Sequence, residues 1–258
     1  MSPRSRALVA LLMIAMAGCT TTTATDSTPS LDGSAWLLAK LPGVELVRDA
    51  PATLRFEGGR ALGSDGCNRF SIGYMAQGGA LSFPSPGAGT RMACPPEVMK
   101  QADVFLLAVS GAKAYRVTNG QLHLLGDDGA VRATFDPQSS TLAGTSWRAT
   151  ALNNGRGAVQ GLLSGSIITL AFDDEGRFSG SSGCNRYMGR YTRSGATLKL
   201  SPAASTRMAC PDDRLAAQED AYLKALGTVS TLHMEADRLE LRTATGALAA
   251  SFMREHAN

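Results

Sequence analysis

The chain has 258 residues, 44% hydrophobic and 18% charged, a balance that excludes a disordered chain and points to globular structure. Its formal net charge is +3, which gives no electrostatic footprint for nucleic acid. The length admits one large domain or two small ones.

Arg4 and Arg6 precede an apolar run from Ala7 to Met16. A run of that length suits an export signal and is too short to anchor across a bilayer. It ends in Met16-Ala17-Gly18-Cys19, small residues before a cysteine, which resembles a bacterial lipobox. The resemblance implies that residues 1–18 are a lipoprotein signal peptide, cut before Cys19 once its sulfur carries a diacylglyceryl group. The alternative is an ordinary secretory signal cut nearby, with Cys19 incidental. Loss of Arg4 and Arg6 leaves a net charge of about +1. Residues 19–30 are rich in Thr and Ser, as suits a flexible tether to the membrane, and several acyl chains on Cys19 supply stable attachment. Thr20 is not Asp, which in enteric-type sorting favours the outer membrane, with the protein facing the periplasm.

The rest of the chain is written twice. Gly33-Ser34-Ala35-Trp36 recurs as Gly144-Thr145-Ser146-Trp147. Gly66-Cys67-Asn68-Arg69 recurs as Gly183-Cys184-Asn185-Arg186, and Thr90-Arg91-Met92-Ala93-Cys94-Pro95 as Thr206-Arg207-Met208-Ala209-Cys210-Pro211. Domains are therefore expected over 31–136 and 142–258, joined by a Pro- and Ser-containing linker at 136–141. The second copy carries a longer early loop, around Asn153 to Ser164.

Within each copy, alternating patterns predict strands. They cover Leu54 to Phe56 and Thr169 to Phe172, with turns at Gly58-Gly59 and at Asp173-Asp174-Glu175-Gly176. Hairpins follow the first cysteine, turning at Gln77-Gly78-Gly79 and Arg193-Ser194-Gly195. One helix follows each second cysteine, with Pro95 and Pro211 suited to its first position. Glu97, Asp212 and Asp213 complement the helix dipole. Val98, Ala102, Phe105, Leu106 and Val109 form its apolar stripe, repeated by Leu215, Tyr222, Leu223 and Leu226. Three short strands end each copy, near Tyr115, Gln121 and Val131, then near Leu232, Leu239 and Leu248. The expected fold class is α+β and β-rich: two tandem domains, each a curved antiparallel sheet or small barrel with one packed helix.

Setting Cys19 aside leaves four cysteines, an even number in an oxidising compartment. Three connectivities exist. Cys67–Cys94 with Cys184–Cys210 is the parsimonious one, because the other two cross-link the domains. Each closed loop would stabilise its domain by roughly 3–4 kcal/mol on the chain-entropy model. A four-cysteine metal site is disfavoured, because no Cys-x-x-Cys pair occurs.

The order Gly-x-x-Trp, Gly-Cys-Asn-Arg, Thr-Arg-Met-Ala-Cys-Pro, helix and β-rich tail resembles the META domain of the HslJ-like family, in two copies over nearly all of 31–258. The resemblance implies an exported or lipid-anchored envelope protein. It also implies a link to heat or envelope stress, or to tolerance of novobiocin-type antibiotics, without any catalytic residue or cofactor to carry over.

Candidate binding residues lie in the two motifs. Arg69 with Arg91, and Arg186 with Arg207, would face each other once the cysteines are bridged, as an anion- or carboxylate-binding pair. The ordinary alternative has them tying loop carbonyls together. Asn68 and Asn185 read as left-handed or side-chain-bonded turn residues. Thr90 and Thr206 read as backbone-bonding residues, and Met92 and Met208 as packing residues. No histidine recurs between copies: His123 aligns with Glu240 and His233 with Arg116. The shared acids, Glu57 with Asp174 and Asp103 with Asp220, read as solvated. The expectation is a non-enzymatic protein that binds an envelope protein partner. The alternatives are a periplasmic inhibitor or chaperone-like module and, third, an enzyme with an unrecognised site.

Overall fold

A computed structural model describes residues 29–255. The signal segment, Cys19 and all but the end of the tether lie outside the described residues, as does His256. The first domain runs β1 (Ala35–Lys40), β2 (Thr53–Glu57), β3 (Arg60–Ser64), β4 (Arg69–Gly73), β5 (Met75–Gln77), β6 (Ala80–Ser82), β7 (Ala88–Gly89), α1 (Pro96–Ser110), β8 (Ala114–Thr118), β9 (Gln121–Leu125) and β10 (Val131–Pro137). The second runs β11 (Thr145–Asn153), β12 (Val159–Gly161), β13 (Thr169–Phe172), β14 (Arg177–Ser181), β15 (Arg186–Ser194), β16 (Thr197–Leu200), β17 (Ala204–Ser205), α2 (Asp213–Gly227), β18 (Val229–Glu235), β19 (Arg238–Thr243) and β20 (Leu248–Arg254). The strand β10 continues through Pro137, two residues into the expected linker.

All strand pairings are antiparallel. In the second domain β11 pairs with both β13 and β20, and β15 bridges β14 to β16, so the sheet closes on itself. The first domain closes the same way, with Tyr74 joining β4 to β5 where β15 is continuous. Closure removes most free edges. Each helix lies against the barrel and buries Phe105 and Val109 in one copy, Tyr222 and Leu226 in the other. Leu106 leaves the expected stripe and is partly exposed at its edge.

The helix starts differ from expectation. Pro95 is the N-cap of α1 and Pro96 takes the first helical position. In α2, Asp212 is the cap, its carboxylate accepting from the Arg214 N–H at 2.7 Å, and Pro211 stands outside. The cores also diverge in matched pairs. Phe70 and Phe105 meet edge-to-face in the first copy, where the second has Tyr187 and Tyr222 with their hydroxyls 2.5 Å apart. Burial pushes both phenols well above their ordinary values, so they stay neutral donors. Tyr187 donates on to the Thr169 carbonyl at 2.7 Å.

The two barrels meet through a polar clasp. The Thr53 hydroxyl donates to Glu235 at 2.7 Å, and Arg69 reaches Glu235 at 3.4 Å and Glu240 at 3.9 Å. Arg55 lies 3.3 Å from the His233 ring, and Gln138 accepts from the Ala236 N–H at 3.2 Å. Glu240 is nearly buried and also meets Arg238 at 3.2 Å and Arg242 at 2.5 Å. Ala236 turns this hairpin at φ +50°, where the first copy uses Asn119 at φ +53°. An alanine is strained in that region, and the turn it makes is the one that docks.

The Glu235 carboxyl is held down to about 2, chiefly by His233, then by Thr53 and Arg69, against burial that raises it. A depressed carboxyl contributes its stabilisation fully above its unfolded value and loses it as pH falls through the folded one. The clasp should therefore loosen on acidification from 4.5 toward 2. Small-angle scattering should record the domains separating over that window, with the pH dependence flattened in Glu235→Gln. An acid profile identical in wild type and variant would contradict this.

Candidate functional site

The duplicated motifs form one staple per domain. Cys67 is bonded to Cys94 and Cys184 to Cys210, with Cα atoms 6.0 and 5.8 Å apart. Each first cysteine follows a glycine at positive φ, Gly66 at +97° and Gly183 at +102°. This conformation lets the chain reverse within four residues, closed by Asp65 N–H to Asn68 O at 3.0 Å and Ser182 N–H to Asn185 O at 2.8 Å. A Cβ on Gly66 would lie 2.6 Å from the Ala50 carbonyl, so both space and φ demand glycine there.

The asparagine then joins the two motifs. Asn68 Oδ1 accepts from the Met92 N–H at 2.7 Å and the Thr90 hydroxyl at 2.9 Å. Asn185 Oδ1 accepts from Met208 N–H at 2.8 Å and Thr206 hydroxyl at 2.7 Å. Each threonine oxygen accepts in turn from the arginine N–H, at 3.1 Å for Arg69 and 3.2 Å for Arg186. Neither asparagine lies in the left-handed region, and the side-chain oxygen of each bonds across the disulfide loop rather than within its own turn.

A carboxylate steadies each turn, from a different element in each copy. In the first, Asp65 Oδ1 accepts from the N–H groups of Cys67 at 2.8 Å and Asn68 at 2.6 Å. In the second that position is Ser182. Glu219 of α2 replaces the acid, accepting from the Asn185 N–H at 2.8 Å, its Nδ2 at 2.9 Å and the Ser182 hydroxyl at 2.8 Å. The first-copy equivalent of Glu219 is Ala102. One helix glutamine is common to both. Gln101 bonds Val47 N–H and Ala50 O at 2.7 and 2.8 Å. Gln218 bonds Leu163 N–H and the Ser166 hydroxyl at 2.7 and 2.6 Å. Both fix the early loop over the staple. Cys184, Cys210 and Glu219 lie close enough to suggest metal ligands, but the sulfurs are bonded to each other and Glu219 is committed to the turn.

The arginines and methionines depart from expectation. Arg69 turns to Glu235 and Glu240 of the other domain rather than to Arg91 or to loop carbonyls. The side chains of Arg91, Arg186 and Arg207 are exposed and make no hydrogen bond or ion pair among the described residues. Met92 and Met208 do not pack: they are 57% and 61% exposed. A groove lies beside each staple between the short strand and the helix. In the first domain Phe70, Ile72, Leu106, Leu107 and Val109 line it. In the second, Arg207, Met208, Glu219, Asp220 and Leu223 do. Sequence reasoning missed Thr53, Arg55, His233, Glu235 and Glu240 at the clasp, and Asp65, Gln101, Gln218 and Glu219 at the staple. The repeated glutamine was visible on aligning the copies. The clasp was not, because its acids stand in one copy only.

Two regions, 29–139 and 140–256, match the model of the META domain. Among solved structures, the NMR structure of a protein from Burkholderia xenovorans is 33% identical, covering 45% of this chain and 85% of its own, with TM-score 0.39. A second NMR structure is 22% identical over 43% of this chain and 91% of that one, with TM-score 0.35. The crystal structure of a DUF4847 family protein from Bacteroides vulgatus is 14% identical over 45% and 96%, with TM-score 0.32. None of the curated proteins matches.

The exchanged carboxylates make a rescue experiment. Glu219→Ala leaves the buried Asn185 N–H without its acceptor and should cost about 2–3 kcal/mol. Adding Ser182→Asp imports the first copy's arrangement and should restore most of that loss. Denaturant unfolding of the single and double variants measures it. A double variant no more stable than Glu219→Ala would refute the equivalence.

Proposed function

Because the chain belongs to the META domain family in two tandem copies, we propose that it is a lipid-anchored protein of the bacterial envelope. It acts by binding, without catalysis, through the paired Thr-Arg-Met-Ala loops, and serves envelope stress or tolerance of novobiocin-type antibiotics. One observation carries the reading. In both copies the backbone of Thr-Arg-Met is fixed by the asparagine and the disulfide, while Arg91, Met92, Arg207 and Met208 project unpartnered into solvent. Side chains offered on a pre-ordered backbone lose less entropy on association. Arginine and methionine are both enriched in protein interfaces, and methionine adapts to irregular partners. An envelope protein is accordingly the partner.

The inhibitor or chaperone-like reading is favoured by a different feature, the apolar groove of the first domain, where Leu107 is 71% exposed. The counterpart of Leu107 in the second domain is Lys224, so the groove suits a client held by a single domain.

Cross-linking in intact cells discriminates. Arg91→Ala with Arg207→Ala should lose the cross-linked partner while the thermal melt stays unchanged; partners retained at wild-type yield would reject the loops. Loss through the groove variant Leu107→Asp alone would favour the second reading. Fatty-acid labelling should vanish in Cys19→Ala, and labelling that persists would remove the lipid anchor from the proposal.

A further inference from the structure

The clasp is a worked example of what a META barrel face can hold, and the second domain carries the same face uncovered. In the first domain Thr53, Ser64 and Arg69 stand side by side across β2, β3 and β4. Ser64 pairs with Arg69 and donates its N–H to the Thr53 hydroxyl at 2.9 Å. The hairpin of β18 and β19 lies on this row. Glu235 accepts a hydrogen bond from the Thr53 hydroxyl and meets Arg69, and Glu240 meets Arg69 from the other strand. In the second domain Thr169, Ser181 and Arg186 repeat the row across β13, β14 and β15. Ser181 pairs with Arg186 and donates to the Thr169 hydroxyl at 3.0 Å.

The second row is open. Arg186 is exposed and its guanidinium has no partner among the described residues. Thr169 accepts from Ser181 but gives its own proton to no acceptor among the described residues. Thr53, its counterpart, is buried beneath the hairpin, whereas Thr169 is half-exposed. The neighbouring Arg148, opposite Thr169, is neutralised by Glu255 at 2.8 Å. Within this row the free charge is thus that of Arg186.

We infer that this face of the second domain is a docking site for a carboxylate-bearing β-hairpin of a partner protein, held as the first domain holds Glu235 and Glu240. The fit differs at two of the clasp residues. Gln138, which accepts from the Ala236 N–H, is replaced by Glu255, already paired with Arg148. Arg55, which meets His233, is replaced by Ala171, so the partner presents an apolar side chain there. A second copy of this chain is not the occupant, because its own hairpin is engaged by its own Arg69. The first domain offers no such hairpin either: Thr118 and His123 stand where Glu235 and Glu240 stand in the second, so the contact does not propagate from chain to chain. The Arg186 backbone is bonded to Thr206 at the start of the second Thr-Arg-Met-Ala loop, but the site uses neither the Arg207 nor the Met208 side chain.

The probe is a head-to-tail cyclised peptide of residues 229–243, the protein's own hairpin, titrated into the full chain. Binding should weaken about fivefold in Arg186→Gln, as expected for one exposed charge pair. It should also weaken when the peptide carries Glu235→Gln and Glu240→Gln, and in about 0.5 M salt. Arg190→Gln, an exposed arginine on the same strand, should change nothing. Ala171→Arg should tighten binding by restoring the contact to His233. A peptide with NMR cross-strand contacts that leaves the Arg186 resonances unmoved would overturn the proposal, as would binding insensitive to Arg186→Gln. Full displacement by inorganic phosphate at low concentration would reduce the face to a simple anion site and overturn the hairpin assignment.

Discussion

Each domain depends on one side-chain amide. Asn68 and Asn185 stand where the chain reverses after the first cysteine, and each holds the strand that leads to the helix. Without that grip the disulfide would join two loops with freedom between them. With it, the loop after β7 or β17 has one backbone path, and the helix start is fixed against the barrel. The amide carbonyl uses both lone pairs, one on a backbone N–H and one on a threonine hydroxyl. Buried Asn185 also donates from its amide nitrogen to Glu219. A buried polar group satisfied this fully rigidifies what it touches.

The two copies show what the grip requires and what it leaves free. A carboxylate must reach the N–H groups of the turn, yet it can come from the turn itself, as Asp65, or from the helix, as Glu219. The edge-to-face aromatic pair beneath can be two phenylalanines or two hydrogen-bonded tyrosines. In both exchanges two positions change together: Glu219 takes over the turn N–H that Asp65 accepts from in the first copy, and Tyr222 finds its hydroxyl partner in Tyr187. The glycine at positive φ and the helix glutamine are the same in both copies, and neither has a second way to be satisfied.

Much of this was legible in the chain itself. The doubling, the strand and helix order and the cysteine pairing all follow from patterns that act over a few residues or repeat at fixed spacing. What was missed shares a physical cause. Glu235 and Glu240 matter because Arg69, more than a hundred residues earlier in sequence, lies against them, and no local pattern encodes a contact between folded domains. Met92 and Met208 were read as packing residues because methionine is usually apolar filler. Their exposure follows from the Asn68 and Asn185 hydrogen bonds, which fix the backbone so that these side chains face outward.

The use of Arg69 has a consequence for how the duplication works. The arginine after the Gly-Cys-Asn turn is the same residue type in both copies and is held by the same backbone bonds, so its position is a property of the domain. In the first copy its guanidinium is consumed in joining the domains; in the second it is free. The two copies are thus alike in scaffold and unlike in available surface. The acids that made this possible, Glu235 and Glu240, sit on the last hairpin of the second copy, around a turn at Ala236 whose backbone is strained. A residue in an unfavourable conformation persists where surrounding contacts over-determine it, and here Gln138 and Arg69 on the first domain supply those contacts. The joint between the domains is therefore a built feature of this chain, and its cost falls on the turn that makes it.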